Sequence, residues 1–217
     1  MGRPTNKELE LNGARRENLI LAAAKLFNEK GYDRTTVREI ADDVGITSGT
    51  IFYHFESKAS LLEGVIQHGM TTGLDIVEKY LKKRVGSINR FHGLVHSHLV
   101  ALSGTPGNSH RVSFQEWGSL PIESRTRLRS INEKYRNVWK QTLEDLKNDG
   151  HLNSDPEYCR LTTIAALNWS PVWLLKDTSI ALADAADQFC SVALNMEPAQ
   201  FSRLKQAECK IVDKDSD

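Results

Sequence analysis

The stretch Gly45 to Leu62, "GITSGTIFYHFESKASLL", gathers side chains whose chemistry suits an anionic polymer. Lys58 is expected to open a helix, where the free N–H groups and the positive dipole end already disfavour a cation. A negative ligand resolves that conflict, because a helix N-terminus and an ammonium together hold a phosphate. The Tyr53 hydroxyl, one turn back on the preceding helix, completes such a clamp. Thr47, Ser48, Gly49 and Thr50 begin that preceding helix, with Tyr53 and His54 also facing outward. Short hydroxyl side chains let a helix come close to base edges in the major groove, and a threonine methyl can touch that of thymine. Gly49 weakens a helix by about 1 kcal/mol relative to alanine, a cost that a close backbone approach would explain. Thr36 offers a second helix start, and Arg38 in its first turn reaches the same backbone. Arg3, in Gly2-Arg3-Pro4, has the flexible basic setting of an arm that enters a minor groove. Singly, each of these residues also reads as an ordinary cap or a solvated surface charge.

Bulk charge does not favour this reading. The chain of 217 residues carries 28 basic and 28 acidic side chains, and its first 58 residues are balanced too. A nucleic-acid interface must therefore rest on where charge is placed. A rival chemistry lies at His92 and His96, which are i, i+4 on a helix with His98 nearby, a spacing that can hold zinc. No H-E-x-x-H signature accompanies them, so a metal sensor or metal-dependent helical enzyme is the alternative function. G-x-S-x-G and phosphate-binding glycine loops are absent, so neither an enzyme nor a cofactor is expected. Cys159, Cys190 and Cys209 are scattered and odd in number, as in reduced thiols. No apolar run approaches the roughly 18 residues of a membrane span, and no apolar leader opens the chain. A cytoplasmic protein without a membrane partner is expected.

The elements that position these residues read as helices throughout. Leu19, Ala22, Ala23, Leu26 and Phe27 form one helix face, which Gly31 ends. Thr36 and Glu39 form a capping box for a short helix with Val37, Ile40, Ala41 and Val44 inside. Gly45 ends it. Thr47 is expected to cap a third helix with Ile51, Phe52 and Phe55 inward, and Ser57 a fourth with Leu61, Leu62, Val65 and Ile66 inward. Two short helices joined at Gly45-Ile46 within a three-helix unit make a helix-turn-helix, or equally a generic small bundle.

Further on, "SGTPGNS" over 103–109 is a loop, and helices are expected near 110–118, 122–149, 156–175 and 179–196, with Pro171 kinking the third. Over 156–175 apolar residues cover most sides, so that helix is expected to be buried on most sides. With the segment after it, it makes a hairpin suited to a second copy of the chain or to the monomer's own core. The dimer candidates are Leu161, Ile164, Ala165, Trp169, Val172, Phe189 and Ala193. The expected divisions are a flexible arm 1–13, a helix-turn-helix DNA-binding domain 14–60, a larger helical domain 61–197, and a polar tail 198–217 that frays.

"TTVREIADDVGITSGTIFYHFESKASLL", with "ILAAAKLFNEKGY" before it, resembles the DNA-binding segment of the TetR family of bacterial transcriptional regulators. The resemblance covers about residues 14 to 66. It implies an all-α homodimer: an N-terminal helix-turn-helix domain and a larger C-terminal helical domain for ligand binding and dimerisation. It also implies a repressor that leaves a palindromic operator when a small-molecule effector binds. By this match Thr36, Tyr53 and Lys58 stand at phosphate-contacting positions, and Thr47, Ser48, Thr50 and His54 where bases are read. "IAALNWSPVWL", 164–174, is loosely similar to regulators of fatty-acid or steroid breakdown that respond to acyl-CoA thioesters. The candidate pocket residues are Phe91, His92, Phe114, Trp117, Trp139 and Asn168, with Arg111 or Arg160 to meet an anion; the same aromatics suit a core or a dimer seam. Gly64, Gly69 and Gly73 give the fourth helix an expected hinge between the domains.

Overall fold

The structure, a computed structural model, describes residues 6–104, 107–174 and 179–214, with side chains described between 12 and 208 within those spans. The described residues form ten α-helices and no strand. Contacts group the chain into two compact units, Met1–Thr71 with Gly104–Arg129, and Thr72–Ser103 with Ser130–Asp217.

In the first unit, α1 (Asn6–Lys30) buries Leu19, Ala22, Ala23, Leu26 and Phe27 on one face, as its spacing requires. Gly31, at φ 85°, turns the chain out of it. The Thr36 hydroxyl accepts from the Glu39 N–H at 3.2 Å, and the Glu39 carboxylate accepts from the Thr36 N–H at 2.8 Å, so the capping box of α2 (Val37–Asp43) is complete. Gly45, at φ 71°, leads into α3 (Ser48–His54), and α4 (Lys58–Leu81) follows. The Ser60 N–H donates to the Ser57 hydroxyl at 3.1 Å at the start of α4. Thr47 stands at the N-cap of α3 but makes no capping bond; its hydroxyl pairs instead with that of Thr50, 3.1 Å away.

Two of the α4 glycines stand at close approaches. A Cβ at Gly69 would lie 2.2 Å from the Ser109 carbonyl oxygen on α6 (Gly107–Gln115), and one at Gly64 would lie 3.0 Å from the Phe55 ring. Both permit close packing. Also on α6, Asn108 accepts from Asn28 of α1 at 3.3 Å, and Glu116 just beyond it accepts from the Tyr32 N–H at 3.0 Å. Helix α7 (Ile122–Asn148) begins in this unit, where Arg127 donates to Glu63 of α4 at 2.7 Å.

In the second unit, α5 (Ser87–Leu102) is buried along most of its length. It packs against α8 (Pro156–Trp169), α9 (Leu182–Leu194) and α10 (Pro198–Lys214). Phe91, Leu94, Trp139, Leu143, Leu167, Ala186 and Phe201 belong to one core. Helix α8 stops at Trp169, short of the expected 175. Pro171 has no N–H to continue the ladder, and a 3-10 turn over Ser170–Val172 replaces it. In the single chain Tyr158, Leu161 and Trp169 of α8, and Val172 just beyond it, are exposed. The polar tail is helical through Lys214. Its Phe201 is fully buried, and its Glu208 carboxylate accepts from the Ile88 and Asn89 N–H groups at 3.1 and 2.7 Å, capping α5. Gly86 makes room for that carboxylate, which a Cβ there would meet at 2.1 Å. Of the expected flexible arm, residues 6–13 are helical.

Candidate nucleic-acid interface

Helices α2, α3 and the start of α4 carry the candidate residues on rigid backbone. Thr36 and Arg38 are exposed at the N-terminal end of α2. Two ion pairs fix α2 to α1: Lys30 with Glu39 and Lys25 with Asp43, each at 2.8 Å. The Lys30 ammonium, then the two Thr36 donors, hold the Glu39 carboxyl down at about 2. Thr47, Gly49 and Thr50 are exposed on α3, and the Ser48 hydroxyl has no partner among the described residues. Tyr53 is 74% exposed and meets His54 edge-on, ring centroids 5.2 Å apart.

Lys58 reaches back from the tip of α4 to the turn that enters α2. Its Nζ lies 4.1 Å from the centre of the Tyr32 ring and 3.4 Å from the Asp33 carbonyl oxygen, with no carboxylate partner among the described residues. The aromatic face and the carbonyl hold the ammonium in place without neutralising it. The exposed Thr36 hydroxyl is itself engaged, donating to the Glu39 carboxylate at 2.9 Å, so the Lys58 ammonium is the cation this turn offers to a phosphate oxygen.

Two expectations about this surface change. Phe52 does not turn inward; it is 51% exposed. Ile51 and Phe55 are four residues apart and share the buried face, and Phe52, about 100° from Ile51 around the helix, falls outside it. The outer side of α3 thus shows two adjacent aromatics, one of which the apolar count concealed. Arg3 lies outside the described residues.

The effector candidates are divided between the two units. Phe114 and Trp117 are half-buried in the first unit, whereas Phe91, His92, Trp139 and Asn168 belong to the second. There Phe91 and Trp139 are fully buried and meet edge-on at 6.2 Å. Beside them His98 accepts from the Tyr135 hydroxyl on Nδ1 and donates from Nε2 to the Asn168 amide oxygen at 2.9 Å, so one neutral tautomer serves both bonds. Tyr135 escaped sequence reasoning, its one polar signal being a hydroxyl on an otherwise charged helix.

His92 is buried, with Asp187 Oδ1 3.1 Å from Nε2 and the Arg84 guanidinium 3.3 Å from Nδ1. Burial, then the positive Lys205, holds its pKa down at about 4. The His92 and His96 rings lie 5.8 Å apart, while His98 is turned to Tyr135 and Asn168. Among the described residues no group of three histidines, cysteines or acids is placed to hold a metal, so the His92/His96/His98 alternative finds no support in geometry. Arg160 forks onto Glu157 at 2.9 and 2.8 Å, which meets its charge, while Arg111 donates to the amide oxygens of Asn28 and Asn108. Cys159 and Cys190 are buried free thiols.

The dimer candidates lie along an apolar strip. Trp169 is 66% exposed, with Leu161, Ala165 and Val172 exposed beside it and Ile164, Phe189 and Ala193 half-covered. Val192 on α9, 81% exposed, is a further exposed apolar residue that was not anticipated.

The family model described as "Bacterial regulatory proteins, tetR family" matches residues 19–65, and "Tetracyclin repressor-like, C-terminal domain" matches residues 85–197. The HTH-type transcriptional repressor KstR2 of Rhodococcus jostii (strain RHA1) is 27% identical over 187 residues, covering 83% of this chain and 90% of the relative. KstR2 of Mycobacterium tuberculosis (strain CDC 1551 / Oshkosh) is 30% identical over 173 residues, covering 74% and 82%. AibR, solved in complex with isovaleryl coenzyme A and operator DNA, superposes with a TM-score of 0.74 at 18% identity, over 82% of this chain and 97% of AibR. Among the described residues no helix is long and apolar enough to cross a membrane.

Proposed function

From the premise that the chain belongs to the TetR family of bacterial regulatory proteins, we propose that it is a transcriptional repressor that holds a palindromic operator as a homodimer and releases it on binding an acyl-CoA-like effector. The observation that carries the DNA reading is the Lys58 ammonium, held on the Tyr32 ring at the turn before α2, with no carboxylate partner among the described residues. Lys58, Thr36, Arg38 and Tyr53 take phosphates, and Thr47, Ser48, Gly49, Thr50 and His54 face the bases, with Arg3 reaching the minor groove. Residues 14–60 do the binding, and 61–197 sense the effector and dimerise. The strip of Leu161, Ala165, Trp169 and Val172 supports the dimer, since water-exposed apolar surface of this kind is covered by association. The acyl-CoA reading draws on the "IAALNWSPVWL" segment and on the fold shared with AibR, which was solved with isovaleryl coenzyme A.

Selection of duplexes from a random pool tests the first half. A two-fold-symmetric site with salt-sensitive affinity is expected, and the absence of any enriched duplex would overturn the reading. Adding acyl-CoA thioesters of graded length to the selected complex tests the second half, with release of the duplex expected and unchanged occupancy at saturating thioester counting against it.

A further inference from the structure

A groove of about 750 Å³ runs between α4, the start of α5 and α7 in the second unit. Its volume falls in the range of small-molecule sites, about 300–1,000 Å³. Leu81 and Val138 give it an apolar floor, and four cations stand around it: Lys79, Lys82, Arg84 and Arg90. Asp75 and Glu78 also line it, four residues before Lys79 and Lys82 respectively, the spacing at which a helix lets acid and base screen one another. With each lysine set against its acid, the surplus charge is the two arginines.

Neither arginine has a carboxylate partner among the described residues. Both are only part-exposed, and a part-buried guanidinium without a counter-ion is costly unless a ligand supplies one. Arg84 is also held in position. Its stem crosses α5 at Gly93, where a Cβ would lie 2.6 Å from Arg84 Cδ, and its Nη1 lies 3.4 Å from the Asn89 carbonyl oxygen. The remaining N–H groups of a fixed planar fork suit the paired oxygens of a phosphate better than the single charge of a lysine would.

We infer that this groove binds the phosphate groups of a nucleotide-sized small molecule, with Arg84 and Arg90 as the principal ligands. The inference rests on the acyl-CoA-like effector proposed above, whose phosphate-bearing end it would seat. Calorimetric titration of the full-length protein with adenosine 3′,5′-bisphosphate alone, and with isovaleryl coenzyme A, tests it on wild type, Arg84→Gln, Arg90→Gln and the double variant, with Lys140→Gln as a control outside the groove. Circular dichroism and operator binding without ligand check that each variant is folded. The double variant is expected to bind the bisphosphate at least about tenfold more weakly, with a flatter salt dependence, while Lys140→Gln matches wild type. A wild type that binds neither probe, or variants that bind both as wild type does, would overturn the groove assignment. Thioester binding that survives in the double variant and still releases operator leaves the effector reading standing without the groove. Bisphosphate binding that needs both arginines, with no thioester able to release operator, leaves the groove standing without the effector reading.

Discussion

Replacing Lys58 by alanine separates the phosphate clamp from an ordinary surface charge. Each phosphate neutralised by a protein cation on duplex DNA contributes about −0.9 to the slope of log K against log salt. A dimer presents Lys58 at both half-sites, so Lys58→Ala should flatten that slope by about 1.8. In 0.1 M salt the same contribution is worth about 1.8 decades, so affinity should fall roughly 60-fold, narrowing to about 20-fold at 0.2 M and vanishing near 1 M. The structure limits the side effects. The ammonium rests 4.1 Å from the Tyr32 ring centre and 3.4 Å from the Asp33 carbonyl, and no acid is left unpaired by its removal. Loss of that exposed cation–π contact costs only about 0.5–1 kcal/mol of fold stability. The assay is fluorescence anisotropy of a labelled operator duplex over a salt series, with an unrelated duplex alongside. Both duplexes should weaken by the same factor, because phosphates carry no sequence information. Parallel salt plots for wild type and variant would refute the reasoning, as would a loss confined to the operator.

Other perturbations probe the scaffold and the dimer. Gly69→Ala places a methyl 2.2 Å from the Ser109 carbonyl oxygen, and such overpacking costs about 1–3 kcal/mol; a melting temperature equal to wild type would show that α4 and α6 do not approach this closely. Trp169→Glu puts a charge in the middle of the exposed apolar strip and should give a monomer by sedimentation velocity with an unchanged helical spectrum; a dimer would move the interface elsewhere. His92 titrates near 4 when folded and near 6.5 when unfolded, so between those values the unfolded chain binds more protons. Its contribution to stability is therefore complete above about pH 6.5 and declines as pH falls towards 4; a denaturation series should show a shallower acid decline for His92→Gln, and identical slopes would contradict the burial argument.

The head of the molecule was legible in its sequence because short-range rules govern it. Gly31 and Gly45 mark turns that need positive φ, Thr36 and Glu39 cap each other three residues apart, and Leu19 to Phe27 repeat at helical spacing. Phe52 shows where that reasoning fails: a seven-residue helix with one buried residue has too narrow an inner face for every apolar residue to share it. The second unit was less legible because its decisive contacts join residues far apart in the chain. Glu208 caps a helix that begins at Ser87, and His98 meets Tyr135 and Asn168, partners that no local pattern announces. The tail's polar residues outnumber its apolar ones, so its composition suggests fraying, yet Phe201 is fully buried in the core and Glu208 bonds the start of α5. The apolar face of α8 suits a second copy of the chain and the monomer's own core alike in the sequence, because periodicity reports an apolar face and is silent about what covers it.

The first unit is built from two separate stretches of chain, Met1–Thr71 and Gly104–Arg129. Glu116 clasps the amide of Tyr32, Ser109 fits against Gly69, and Glu63 holds both Arg127 and Ser124. A chimaera cut after residue 60 would graft the recognition helix onto a foreign host and leave behind the pieces that pack on α1 and α4. Engineers building biosensors from this protein should exchange both stretches together, treating Gly104–Arg129 as cargo that travels with the reader.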